Sequence, residues 1–529
     1  MKKATTSHTV SMVKLIGSDK ASPRTPKLPV INTNESIEVS IRVRRRQSIE
    51  RALKSRTKCT HAQYEKEYGA SQADIDLIEK FANDSHLSVS KIDYARRTVI
   101  LKGKLKYFES AFQIHLSNYQ SKSGIIFRGR SGCIHIPENL AAIIEGVFGL
   151  DNRPVAKPKF QILKSETERG FLSSRATSFE GFPPNLISKA YGFPKNVTGK
   201  GQCIAIIELG GGYRNKDLTD YFKALNLPLP SVKSISVGTG FNNPSSADSD
   251  DGEVMLDIEV AGAVAPDAKI VVYFAPNTDK GFLDAITQAV HDPINKPSII
   301  SISWGGPEAS WTEQSLKSYN EAFKAASLLG VTICVAAGDQ GSSDQNPDDE
   351  DYDKLVHVDF PASSPYVLAC GGTKVAIKNE KVQSEVVWRD DVDSATGGGV
   401  SDFFQKPDYQ SSTPVPVSIE HKFKGRGLPD ISGNASPISG YKVLVDGQWS
   451  PVGGTSAVAP LMAAFFALSN ELNKENAGFV NPTLYAKSKT FCRDIITGDN
   501  ITTPSKKGFK AKKGWDACTG WGIMSSFKK

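Results

Sequence analysis

Beyond Gly201 the chain is written in short, near-continuous apolar runs separated by amphipathic stretches. Runs over 203–207, 270–274, 298–302, 332–337 and 367–370 lack inside-outside alternation, which predicts strands buried on both faces of a parallel sheet. Segments at 218–225, 282–290 and 315–328 place apolar residues at helical spacing between those runs. The expected fold of this region is therefore α/β, a mostly parallel twisted sheet flanked by helices, with its working residues at the carboxyl ends of the strands. Glu208 follows the first of these strands, Trp304 the third and Asp339 the fourth.

The earlier part of the chain follows a different rhythm. Residues 1–34 are polar and rich in Ser, Thr and Pro, which predicts a disordered lead-in. A strand-like alternation over 36–43 is followed by helical stretches at 60–68 and 72–81, strands at 87–93 and 97–102, a helix near Tyr107, a strand near Ile114 and a helix over 138–147. That succession predicts a compact α+β domain over 35–152. Residues 153–180 carry Arg153, Pro154, Lys157, Pro158 and Lys159, then a polar run through Ser173, Ser174 and Arg175. This is the composition of an exposed, cleavable linker, and 181–529 is the large domain.

A chain of 529 residues is too long for one core, in keeping with two domains. Its formal net charge is +7, with the basic excess in the first third and an acidic balance in the remainder. No zinc-finger spacing or RNA-binding signature accompanies the basic part, so a partner of opposite sign within the chain is expected rather than nucleic acid. Seven cysteines without a C-x-x-C pair argue against a disulfide framework or a zinc site, and Cys203, Cys334 and Cys370 fall in strand-like runs as buried thiols. No apolar stretch is long enough to cross a membrane, and residues 1–20 contain no readable signal peptide.

Candidate chemistry begins at Gly453-Gly454-Thr455-Ser456-Ala457-Val458-Ala459-Pro460, which feeds an apolar helix. Its glycines permit close approach of a substrate backbone, and a helix N-terminus offers amide hydrogens to an oxyanion. Thr455 and Ser456 are equally good helix caps. A nucleophile needs a base, but His291, His357 and His421 are the only histidines of the large domain, and none stands in a glycine-flanked turn that would aim an imidazole at Ser456. Carboxylates are the better candidates. Glu253 and Asp257, four residues apart in an otherwise small and apolar helical segment, share one face. Exposed, they are a solvated face; buried, they must share protons.

Glu253 with Asp257, Asp339 in Ala336-Ala337-Gly338-Asp339, and Ser456 in its Gly-Gly-Thr-Ser-Ala-Val-Ala-Pro run together resemble the sedolisins, the serine-carboxyl peptidases, and most closely their kumamolisin type. The segments Ile206-Ile207-Glu208-Leu209-Gly210-Gly211-Gly212-Tyr213, Ser301-Ile302-Ser303-Trp304-Gly305-Gly306-Pro307-Glu308 and His357-Val358-Asp359-Phe360-Pro361 are similar as well. So are Glu67-Tyr68-Gly69-Ala70 and Gly146-Val147-Phe148-Gly149-Leu150-Asp151, which resemble the family's pro-segment.

The resemblance implies a subtilisin-like α/β peptidase domain preceded by a ferredoxin-like pro-domain, hydrolysing protein or peptide substrates in acid. It makes Ser456 the nucleophile, Glu253 its general base, Asp257 the carboxylate that tunes Glu253, Glu208 an outer carboxyl with Trp304 beside it, and Asp339 the oxyanion-hole acid. A carboxyl base suits acid because imidazole, with an ordinary pKa of about 6.5, is protonated there. The resemblance also implies one structural Ca²⁺ held by side chains of Asp494 and Asp516 and carbonyls of Ile495, Lys512 and Gly514, in a loop that here carries several lysines. It implies a secreted or extracellular monomer whose pro-domain serves as intramolecular inhibitor and folding aid. Acid is expected to neutralise the carboxylates that hold the pro-domain and to start cleavage near Ser173 to Ser178. Two other readings remain open on the sequence: a subtilisin-like Ser-His-Asp peptidase using His291, His357 or His421, and a catalytically silent, calcium-stabilised binding protein.

Overall fold

The computed structural model describes residues 11–163, 180–349, 351–503 and 506–528. In the first domain, four antiparallel strands lie in the order Ser88–Asp93, Thr98–Lys104, Ser36–Val43, Ile144–Phe148. Helices His61–Tyr68, Gln72–Asp84 and Leu105–Phe112 complete a ferredoxin-like arrangement in which the first and third strands are central. Alternation in the first strand buries Ile37, Val39, Ile41 and Val43 against Ile75, Ile78, Phe108 and Phe112.

Two expectations for this region are corrected. The segment expected as a helix over 138–147 is a short turn, Glu138–Leu140, followed by the edge strand Ile144–Phe148. Its apolar spacing imitates a helix, but Ile144 and Val147 close the core on the open side of Ser36–Val43. The lead-in expected to be disordered over 1–34 is packed from Met12 onward. Met12–Lys14 pairs with His135–Pro137, Leu15 enters the core, and the Ser18 hydroxyl accepts the Ile134 amide at 2.9 Å. Residues 1–10 lie outside the described residues.

The large domain is built on a ten-stranded sheet. Val232–Ser236, Lys269–Phe274, Cys203–Glu208, Ile299–Ile302, Thr332–Ala336, Leu368–Lys378 and Ile431–Asn434 run parallel in that spatial order, as continuous apolar strands require. Helices Asp251–Val264 and Val458–Asn473 pack on one face, and Asp279–Val290 with Glu313–Leu329 on the other.

The first domain docks on this second face. Ile49, Tyr64, Tyr68 and Phe148 join the apolar cluster beneath it. Arg45 reaches Glu321 at 3.0 Å, Arg96 reaches Asp284 at 3.2 Å, and Gln314 exchanges two hydrogen bonds with the Val147 main chain. The basic first domain thus meets acids of the large domain, as the charge distribution suggests. Docking also sets the half-buried His291 against the Tyr64 ring, with centroids 4.9 Å apart and His61 beside them.

Candidate active site

The helix Asp251–Val264 has no solvent face: every residue in it is buried. Glu253 and Asp257 therefore point, one turn apart, into a dry site. The Ser456 hydroxyl donates to Glu253 Oε2 at 2.8 Å, and Asp257 accepts the Ser303 hydroxyl at 2.9 Å. Glu208, the last residue of its strand, accepts Trp304 Nε1–H at 2.8 Å. Burial, then the charge of Asp257, pushes both Glu253 and Glu208 well above the usual carboxylate range. Burial also lifts Asp257 to about 8, against the opposing hydrogen bond from Ser303. Three carboxyls so placed cannot all ionise and must share protons.

Ser456 lies in the short turn Thr455–Ala457 that opens the Val458–Asn473 helix, and its side chain caps nothing. The turn is held from the other side by Asp339, whose Oδ1 accepts the Thr455 amide at 2.8 Å and the Thr455 hydroxyl at 2.7 Å. Asp339 Oδ2 is buried and has no partner among the described residues. Burial raises this carboxyl to about 7, so it carries a proton in acid. Gly454, at φ +106°, brings the backbone in: a Cβ there would lie 2.2 Å from Lys159 O and 2.6 Å from Asp339 Oδ2, so both oxygens face one spot.

That spot is occupied by the chain itself. The stretch expected as an exposed linker over 153–180 is, in its described part, threaded through the cleft. Lys157–Pro158 pairs antiparallel with Trp304–Pro307, and Gln161–Ile162 pairs antiparallel with Gln448–Gly453. Between them, Lys159 N–H donates to Ser303 O at 3.0 Å, and Lys159 O accepts the Ser456 amide at 2.8 Å. The Lys159 ammonium is buried between Asp344 Oδ1 at 3.1 Å and Asp359 Oδ2 at 3.0 Å. Its basic and proline-rich composition fits an acidic, strand-lined groove as well as it fits solvent. Residues 164–179, including the expected cleavage region, lie outside the described residues.

Sequence reasoning did not find Lys159, Ser303, Thr455, Asp344 or Asp359 as site residues. Lys159 reads as linker, Asp344 lies in a turn, and Asp359 lies in a short strand whose segment resembles the family without marking the aspartate as a site residue. No described histidine contacts Ser456. His291 lies half-buried against Tyr64 of the first domain, His357 Nε2 meets Asp353 at 2.9 Å, and His421 meets Asp402 at 3.0 Å on the surface.

At the C-terminal end, Asp516 Oδ2 accepts the Lys512 amide at 3.0 Å and Asp494 Oδ2 accepts the Gly514 amide at 2.7 Å, so both acids grip one loop. Ile495 is buried next to Asp494. Burial holds the Asp516 carboxyl above its usual range, a penalty that a cation alongside would lift. Two carboxylates on one loop are hard oxygen donors of the type Ca²⁺ takes.

Comparison with known proteins agrees with this architecture. Residues 26–153 match the family model described as pro-kumamolisin, activation domain, and residues 236–522 match that of the subtilase family. Kumamolisin of Bacillus sp. (strain MN-32) is 47% identical over 436 residues, covering 82% of this chain and 78% of that protein. Sedolisin of Pseudomonas sp. (strain 101) is 27% identical over 428 residues, covering 77% and 70%. Among solved structures, Pseudomonas sedolisin, a serine-carboxyl proteinase complexed with two molecules of pseudo-iodotyrostatin, aligns with a TM-score of 0.58 at 28% identity, over 65% of this chain and 95% of that one. No helix among the described residues is long and apolar enough to cross a membrane.

Proposed function

The chain belongs to the sedolisin family, on its kumamolisin side, as a serine-type peptidase made as a precursor, and from this we propose that it is an acid-active endopeptidase that cuts its own pro-segment first. Ser456 Oγ attacks the substrate carbonyl carbon while its proton passes to Glu253. Asp257, held by Ser303, and Glu208, held by Trp304, share the remaining protons with Glu253. The oxyanion takes hydrogen bonds from the Ser456 amide and from protonated Asp339. Collapse of the tetrahedral intermediate returns the proton to the leaving amine, and water then releases the acyl group from Ser456 by the same route.

A single observation carries this reading: one main-chain carbonyl, that of Lys159, already receives the Ser456 amide while Ser456 Oγ is bonded to Glu253. The two aspartates around the Lys159 ammonium favour substrates with a basic residue before the cleaved bond. We further read the Asp494 and Asp516 loop as holding one structural Ca²⁺ with carbonyls of Ile495, Lys512 and Gly514, a charge that would tie the loop down. The enzyme acts as a monomer outside the cell, with its pro-domain as inhibitor and folding aid. A silent binding protein has no use for a dry nucleophile bonded to a carboxyl base. A pH-activity profile of wild type beside Glu253→Ala tests the reading, and full activity in the variant would remove the base.

A further inference from the structure

Phe160 follows the aligned carbonyl, and its ring packs half-buried against the core of the large domain. It lies directly over Gly252, in the first turn of the helix that carries Glu253. A Cβ on Gly252 would stand 2.7 Å from Phe160 Cε2 and 3.0 Å from Cζ. The backbone there is ordinary helix and does not call for glycine, which costs a helix about 0.5 to 1 kcal/mol relative to alanine. Space for the ring is what the missing side chain provides. Beyond Phe160, the Gln161 side-chain amide donates to Asp393 O at 2.7 Å and the Leu163 amide to Pro451 O at 3.0 Å, so the next residues lie as a strand along Gln448–Gly453.

We propose that Gly252 is the floor of an aromatic subsite immediately after the cleaved bond, and that the edge of Gln448–Gly453 then aligns the following residues of protein substrates as an added strand. The subsite rests on the peptidase reading above and adds to it a selection on the leaving side of the bond. Gly252 determines specificity by steric allowance and does not touch the reacting atoms.

The test uses full-length chain activated in acid and a fluorogenic peptide series, Ala-Pro-Lys-X-Gln-Ile, with X as Phe, Tyr, Leu or Ala. Wild type is expected to cleave the Phe and Tyr peptides with kcat/KM at least about tenfold above the Ala peptide, the scale of burying one aromatic side chain. In Gly252→Ala the ratio of Phe to Ala falls to about one whatever the absolute rate, because the ring and the new methyl cannot share the space. Equal wild-type rates across X overturn the subsite even if Gly252→Ala fails to fold, and an unchanged ratio in an active Gly252→Ala overturns the role of Gly252. Absence of cleavage of every peptide by wild type overturns the peptidase reading itself. Equal rates across X leave that reading standing.

Discussion

The Lys159 carbonyl accepts a 2.8 Å hydrogen bond from the Ser456 amide, the same serine whose hydroxyl donates to Glu253. Nucleophile, base and one oxyanion donor are therefore assembled around a peptide bond of the chain itself, Lys159–Phe160.

The first cut is expected at that bond. Precursor brought to about pH 4 should release a fragment whose new N-terminus is Phe160, read by mass spectrometry or N-terminal sequencing, while Ser456→Ala precursor stays whole. A first fragment beginning within 173–178 would show that the threaded bond is an inhibitor rather than a substrate.

Protonation of Asp339 sets the alkaline limit. Its carboxyl is raised to about 7, so the donor is present below that value and is lost as pH rises through it. The stability effect has the same sign: a carboxyl whose folded pKa exceeds its unfolded value destabilises the fold as pH climbs between the two. Wild-type kcat/KM should fall with an apparent pKa of about 7. Asp339→Asn, whose amide donates at any pH, should be about 100-fold slower at its best yet flat through that range.

Asp344 and Asp359 should govern preference before the cleaved bond. Replacing Asp359 by Asn leaves a buried ammonium with one carboxylate partner, and kcat/KM on a Lys peptide should drop by about 30-fold or more. The matched Leu peptide should not lose rate. Equal losses on both peptides would make Asp359 a structural support only.

Acid release of the pro-domain should run through His291 more than through the interface carboxylates. Burial pushes Glu321 up, but the adjoining Arg45 and Lys324 outweigh it and hold Glu321 at about 2, so the Arg45 contact is present above the ordinary glutamate range and survives at pH 4. His291 behaves oppositely. Burial, reinforced by Arg96, His61, Arg45 and Arg42, holds its pKa well below 6.5, so docking keeps it neutral. Undocked, it takes a proton as pH falls through about 6.5, and docking weakens in step. His291→Leu precursor should shorten several-fold more slowly at about pH 5 than wild type, and unaltered kinetics would clear His291 of this role.

Legibility from sequence followed the physics of each segment. The apolar runs at 203–207 and 270–274 identified the parallel sheet because strands buried on both faces have no polar register to hide. Glu253 and Asp257 stood out because two acids in an all-apolar helix need a reason. The 138–147 segment misled because Leu140, Ile143, Ile144 and Val147 are spaced as on a helix, and only the vacant sheet edge beside Ser36–Val43 decides for a strand. Ser456 alone was undecidable, since glycine turns precede both capped helices and nucleophiles. The settling fact is that its hydroxyl leaves the helix for Glu253, 203 positions earlier. Asp344 has no local signature and the family-like segment around Asp359 gives it no role, because what relates the two is a lysine from a segment that reads as linker.

The threaded segment is covalently continuous with a folded body on each side, which has a kinetic meaning. An intramolecular occupant has an effective concentration that flexible tethers alone set in the millimolar range, and two strand pairings hold it further in place. Dilution cannot empty the cleft, and external peptides compete poorly until the tether is broken. Activation should therefore begin as a first-order event in each molecule, with a lag independent of protein concentration, before freed enzyme adds a bimolecular phase.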